Sequence, residues 1–213
     1  DIPNPMRNIR FPKQPTQLTP KAVNEDDVMR LFDAFDTSPL GIRNTAIVAV
    51  LYDTGARATG VCSIRVEEMD ILKRTLVLHE KGRKSRTVSY SHFTADYIRK
   101  WLDIRANGVD TLFYNMRTLQ PLTRSGLEQM LKRAKNQAGI KGRVNPHSFR
   151  HAFARKFLND GGDLATLSRI LGHESIETTA MYYAVFTQGE LQQKQRDHSP
   201  MNKIGRLLDK RKQ

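Results

Sequence analysis

Five short stretches of this sequence carry side chains suited to gripping an anion, moving a proton or attacking an electrophile. The first is Tyr52-Asp53-Thr54-Gly55-Ala56-Arg57, an arginine just past an apolar run and a glycine turn. The second is Lys81-Gly82, within the basic stretch Glu80-Lys81-Gly82-Arg83-Lys84-Ser85-Arg86. The third, Pro146-His147-Ser148-Phe149-Arg150-His151, opens a helical stretch and puts His147 and Arg150 three apart, hence on one helix face. The fourth is Leu171-Gly172-His173, and the fifth is Thr178-Thr179-Ala180-Met181-Tyr182-Tyr183. Arginine grips anionic oxygens with a fork that is always charged, lysine and histidine carry protons, and a tyrosine hydroxyl can act as a nucleophile.

Each stretch alone also has a plain structural reading. Arg57 suits a surface ion pair, Lys81 a solubilising turn, and Tyr182 and Tyr183 a core and a rim residue. His147 and His151, four apart, have the spacing of a helical metal pair. A zinc hydrolase of that kind needs a glutamate directly after the first histidine, and Ser148 stands there. The single cysteine, Cys62, allows neither an internal disulfide nor a cysteine-based zinc site. No metal and no cofactor are expected.

The charge of the chain narrows the partner. Lys and Arg number 35 against 22 Asp and Glu, a net charge of +13 over 213 residues, which suits a polyanion such as nucleic acid. Residues 117–156 hold ten Lys/Arg against one acid, Glu128, and residues 73–105 hold nine against three. Clusters of that kind follow a phosphate backbone. Hydrophobic content of 38%, with nine Phe and six Tyr, is enough for a packed core. The longest apolar run, Ala46 to Tyr52, is far shorter than the roughly 20 residues of a membrane span. With no secretory signal and one cysteine, the expected compartment is reducing, the cytoplasm.

The elements that must position these residues are legible from periodicity and punctuation. Five of the nine prolines fall in the first 20 residues, so residues 1–18 read as an extended linker that followed an upstream part. Thr19-Pro20 suggests a helix cap ahead of a helix over Val23–Phe35, and Gly41–Asp53 is apolar nearly all round, a buried helix stopped at Thr54-Gly55. Alternation over Leu76–His79 and Thr87–Tyr90, around the polar tip 80–86, predicts a β-hairpin with Asp70–Leu72 as a third short strand. Helices follow over His92–Ala106, Arg124–Ala138, Pro146–Asn159, Leu164–Leu171 and Thr178–Val185. The fold class is α+β, mainly helical, with one small antiparallel three-stranded sheet. Beyond Gln188 the chain turns polar, then Ser199-Pro200 caps a short helix with Met201, Ile204 and Leu208 on one stripe.

Taken together and in order, the five stretches resemble the tyrosine recombinase (phage integrase) family, over about Thr19 to Val185. The family pattern is an arginine after a Thr-Gly turn, a lysine on a hairpin tip, His-x-x-Arg, Leu-Gly-His, and a tyrosine after a Thr-Thr helix start. Here those places hold Arg57, Lys81, His147 with Arg150, His173 and Tyr182. The resemblance implies a catalytic domain over 19–187, a C-terminal tail over 188–213, and a DNA-clamping domain upstream of the linker. It implies site-specific recombination of double-stranded DNA, by a homo-oligomer, a tetramer, on paired sites, with the tail docked on its own domain or, as is common in the family, handed to a neighbouring protomer. Arg57 and Arg150 would clamp the phosphoryl oxygens and Lys81 would protonate the leaving 5′-oxygen. His147 and His173 would donate hydrogen bonds or help move the tyrosine proton, and Tyr182 would form the covalent phosphotyrosyl bond. A catalytically silent DNA-binding relative and a type IB topoisomerase-like nicking-closing enzyme are the alternatives. Two places depart from the pattern. Gly60 stands where the family often has an acid three residues past its first arginine, and Tyr183 is a neighbouring rival to Tyr182, which the spacing from His173 favours.

Overall fold

The computed structural model describes residues 22–79, 85–173, 179, 188–202 and 204. Its helical part begins with α1 (Glu25–Asp33), two residues later than periodicity suggests. Asn24 is the reason: its side chain accepts the Asp27 N–H at 2.6 Å, and the acidic first turn, Glu25, Asp26 and Asp27, complements the positive helix end. Val23 stays outside the helix and donates its N–H to the Ser148 carbonyl at 3.1 Å, tying the chain entry to a later helix. The cap expected at Thr19 lies outside the described residues.

The central element is α2 (Pro39–Thr54). Ser38 caps it by accepting the Gly41 N–H, Pro39 opens it, and Gly55 ends it in the left-handed region at φ 59°. Ala46 to Leu51 are buried without a break, because α2 runs through the core between α4 (His92–Ile104) and α6 (Pro146–Asn159). Trp101 of α4 is fully buried, and its indole N–H donates to the Leu112 carbonyl at 2.7 Å, which satisfies the polar end of a large apolar ring. Helix α4 ends at Ile104, short of the expected Ala106, because Arg105 turns extended and donates to the Thr111 carbonyl at 2.9 Å.

Between α2 and α4 lie a five-residue helix α3 (Ala58–Cys62), a 3₁₀ turn (Val66–Glu68) and a sheet of order β1-β2-β3. Its strands are β1 (Met69–Asp70), β2 (Thr75–His79) and β3 (Ser85–Ser89), antiparallel throughout. The third strand is shifted from the expected Asp70–Leu72. Leu72 instead sits in a turn at 92% exposure, and Asp70 accepts the Lys73 N–H at 2.8 Å. Strand β3 starts earlier than its polar sequence suggests: Ser85 pairs with His79 and Arg86 with Leu78. Leu76, Leu78 and Val88 turn inward to the core.

The second half is a run of capped helices. Thr123 caps α5 (Arg124–Gln137), which buries Leu127, Met130, Leu131 and Ala134 and exposes Arg124, Lys132 and Arg133. Asn145 and Ser148 close a reciprocal capping box on α6. Asp163 caps α7 (Leu164–Leu171), and Gly172 ends it at φ 65°. Ala154, Leu158, Leu167 and Leu171 form a satellite core between α6 and α7. The helix expected over Thr178–Val185 lies outside the described residues, apart from Thr179. The polar stretch that follows folds as α8 (Gln188–Asp197), which has no apolar stripe to announce it. Lys194 Nζ of α8 donates to the Leu158 carbonyl, and His198 lies beside Gly161, so this part of the tail sits on its own chain. Met201 and Ile204 are exposed, at 64% and 46%. Among the described residues no helix is long and apolar enough to cross a membrane.

Candidate active site

The C-terminal end of α7 is where the distant stretches meet. A helix end leaves its last carbonyls without intrahelical donors and carries the negative end of the helix dipole. Three successive carbonyls here each accept from an arginine on a different element. Arg86 of β3 donates through Nη1 to the Ile170 carbonyl. Arg150 of α6 donates through Nη2 to Leu171 at 2.7 Å, and Arg57, the residue before α3, donates through Nη2 to Gly172 at 3.4 Å.

Arg150 is buried, at 3% exposure, and also donates through Nη1 to the Gly55 carbonyl at 2.9 Å. One guanidinium therefore joins two glycine turns that lie far apart in sequence. Both turns need glycine. Gly55 and Gly172 have φ of 59° and 65°, and a Cβ at Gly55 would stand 2.8 Å from Phe153 Cδ1 and 3.1 Å from Leu171 Cδ2. The tight approach of turn 55 to helix end 171 is what lets a single arginine span them.

His147 is exposed on the first turn of α6. It lines a cleft of about 200 Å³ with Arg57, Thr59, Arg124, Glu128 and Arg150. Three of the residues singled out from sequence thus share one cleft. Ser148, between the two histidines, is committed to the capping box. Among the described residues no group of three or more His, Cys, Asp or Glu has the arrangement to hold a metal ion.

His173 directly follows the αL glycine. Its Nδ1 lies 2.6 Å from Oγ1 of Thr179, a hydroxyl on a residue with 0% exposure. A buried hydroxyl is satisfied by such a contact, and the contact fixes the plane of the imidazole. Lys81, Tyr182 and the rival Tyr183 lie outside the described residues. At the end of β2, His79 Nε2 and Glu68 Oε2 are 2.6 Å apart. The thiol of Cys62 is pushed up to about 11 by burial, so it stays protonated and is no nucleophile at neutral pH.

Four residues at this site carry no signal in the sequence that marks them as part of it. Arg124 and Glu128 were merely the start of a helix, yet they line the cleft and pair at 2.9 Å. Arg86 was part of a polar tip, and Thr179 part of a helix start. Alternation along β3 was the available signal for Arg86, but its partner carbonyl lies 84 positions away. Arg57 is held by the Gly172 carbonyl, and a Cβ at Gly60 would meet Leu78 only at ordinary distances of 3.5–3.6 Å.

The family model described as "Phage integrase family" matches residues 21–188. The chain belongs to the phage integrase family. It is similar to the tyrosine recombinase XerC of Halalkalibacterium halodurans, 35% identical over 208 residues, covering 92% of this chain and 68% of that protein. It is similar to the tyrosine recombinase XerD of Listeria monocytogenes, 34% identical over 187 residues, covering 84% and 62%. The chain thus spans 62–68% of the length of these two relatives. Among solved structures, the XerA recombinase matches with a TM-score of 0.74 at 28% identity, over 89% of this chain and 67% of that one. A XerH site-specific recombinase bound to its difH substrate shares the fold, with a TM-score of 0.66 at 23% identity over 77% of this chain and 50% of that one. By family, then, the chain is of the tyrosine recombinase type.

Proposed function

We propose that the chain is the catalytic part of a site-specific DNA recombinase acting through a covalent 3′-phosphotyrosyl intermediate, with the chemistry divided as follows. The Tyr182 oxygen attacks the scissile phosphorus, the bond to the bridging 5′-oxygen breaks, and Lys81 gives that oxygen its proton. Arg57 and Arg150 stabilise the charge that gathers on the non-bridging oxygens. His147 and His173 donate hydrogen bonds to the same oxygens or take up the tyrosine proton. Attack by a 5′-hydroxyl of a second duplex reverses the step, releases Tyr182 and exchanges the strands.

The observation that carries this reading is the convergence of Arg57 and Arg150 on one helix end, with His147 lining the same cleft. Two guanidinium groups fixed before any substrate arrives need no reorganisation when negative charge develops, which is the condition for electrostatic catalysis. The exposed basic residues of α5 and the loop after it, among them Lys132, Arg133, Lys141 and Arg143, support double-stranded DNA as the partner. The assembly on paired sites is a homo-oligomer, a tetramer, working in the cytoplasm. Residues 1–18 serve as linker, 19–187 as catalytic domain and 188–213 as tail. The exposed pair Met201 and Ile204 suits an apolar contact with a neighbouring protomer.

The test is covalent capture. A pool of random-sequence duplexes, each nicked so that a short cleaved strand diffuses away, is incubated with the chain, and protein-bound DNA surviving detergent is sequenced. Recovery of a shared sequence attached through Tyr182 is the expected result. DNA binding with no covalent product makes the chain a silent binder. Covalent capture with supercoil relaxation but no exchange between two selected duplexes makes it a nicking-closing enzyme.

A further inference from the structure

Arg86 sits at the junction of two parts of the proposed site. It stands on β3 opposite Leu78 of β2, half-buried, and its guanidinium reaches the Ile170 carbonyl near the end of α7. The next two carbonyls, Leu171 and Gly172, are those that hold Arg150 and Arg57. An α-helix backbone has a radius of about 2.3 Å, so consecutive terminal carbonyls lie only a few ångströms apart. Three guanidinium groups therefore crowd one helix end. The partial negative charge of that end offsets part of their mutual repulsion.

Each of the three arginines brings a different segment to this end. Arg150 brings α6 with His147, and Arg57 brings the turn after α2. Arg86 brings the β2–β3 hairpin, whose described pairing closes at His79 and Ser85, with Lys81 between them in sequence. We propose that Arg86 is a positioning residue that locks this hairpin onto the end of α7, and so sets where Lys81 stands relative to the phosphate clamp; this rests on the proposed role of Lys81 as proton donor. A guanidinium suits the task because its fork is planar and keeps its charge when half-buried, while an ammonium is a point charge on a flexible stem. Arg86 would touch neither substrate nor reacting atoms. It would act through the hairpin.

A role in placing the proton donor predicts a substrate dependence that a general loss of packing does not. A bridging 5′-sulfur leaves without needing a proton. On selected nicked duplexes, single-turnover cleavage is compared between the 5′-oxygen form and the 5′-sulfur form. Arg86→Met should slow the oxygen substrate by about 10- to 100-fold, the cost of a misplaced catalytic group. It should cleave the sulfur substrate at close to the unsubstituted rate. Added to Lys81→Ala it should cost nothing further on oxygen. Arg86→Lys, which keeps the charge and most of the packing, should be slowed less than Arg86→Met, with the same rescue by sulfur. Equal slowing of Arg86→Lys on both substrates would overturn the proposal and assign Arg86 to the fold or to DNA binding. If Lys81→Ala is itself not rescued by sulfur, the proton-donor role of Lys81 falls first, and the role of Arg86 with it.

Discussion

Replacing Arg150 by lysine separates the structural work of this residue from its proposed chemistry. Arg150 donates to Gly55 at 2.9 Å and to Leu171 at 2.7 Å, from a position with 3% exposure. Lysine gathers its donors on one nitrogen and cannot reproduce the two spread arms of the fork, so one charge-assisted hydrogen bond should be lost, worth about 1.5–3 kcal/mol. Solvent does not make up the loss, because the site is buried. For a chain of this size each kcal/mol shifts the melting temperature by roughly 2–4 °C, so the expected fall is about 3–12 °C. Urea unfolding should show a lower midpoint with an unchanged slope, since the surface exposed on unfolding is the same. Cleavage should fall far more than stability, because the fork that would hold two phosphoryl oxygens is also gone. If Arg150→Lys unfolds at the unsubstituted midpoint, the two carbonyls are not what holds the arginine. The pre-organised clamp would then be wrong.

Other outcomes follow from the same site. Tyr182→Phe should abolish covalent attachment to DNA while binding stays nearly intact, and denaturing gels would reverse the assignment if only Tyr183→Phe had that effect. Thr179→Val, which removes the hydroxyl 2.6 Å from His173 Nδ1, should slow cleavage by about 10- to 100-fold, with Thr179→Ser restoring most of it. The same change should add nothing in a His173→Ala background, and additive losses would sever the link. DNA affinity should fall by roughly 10³- to 10⁵-fold between about 50 and 200 mM salt if six to ten phosphates are contacted, and a flat response in a titration would contradict the charge reading. The Asp163 carboxyl is held below its ordinary value by hydrogen bonds from the Thr166 side chain and backbone N–H at the start of α7. Its contribution is therefore present above the unfolded value of about 3.9 and lost as pH falls through the folded value. Melting curves of Asp163→Asn and the unsubstituted chain should converge in acid, and a constant gap would refute that cap.

What the sequence determined alone is what local chemistry decides. Pro146–Asn159 and Leu164–Leu171 have the bounds that periodicity, proline and glycine indicate, because an Asn or Asp cap and a left-handed glycine act within a few residues. The order and spacing of Arg57, Lys81, His147, Arg150, His173 and Tyr182 carry the family resemblance without any fold. Elements without a local signal were missed. Helix α3 is five residues long, too short for an apolar period, and α8 is polar along its length. Its place on Leu158 comes from a lysine reaching a carbonyl 36 positions away. The site itself is decided by tertiary structure. No pattern links Arg86, Arg57 and Arg150 to Ile170, Gly172 and Leu171, since what joins them is the set of unsatisfied carbonyls at a helix end. Arg124 and Glu128 enter the cleft for a similar reason: α5 packs against α3, and so carries its first turn to the side where Arg57 stands. Sequence can name two of the three donors, Arg57 and Arg150, but only the packed chain adds Arg86 and brings the carbonyls that hold all three.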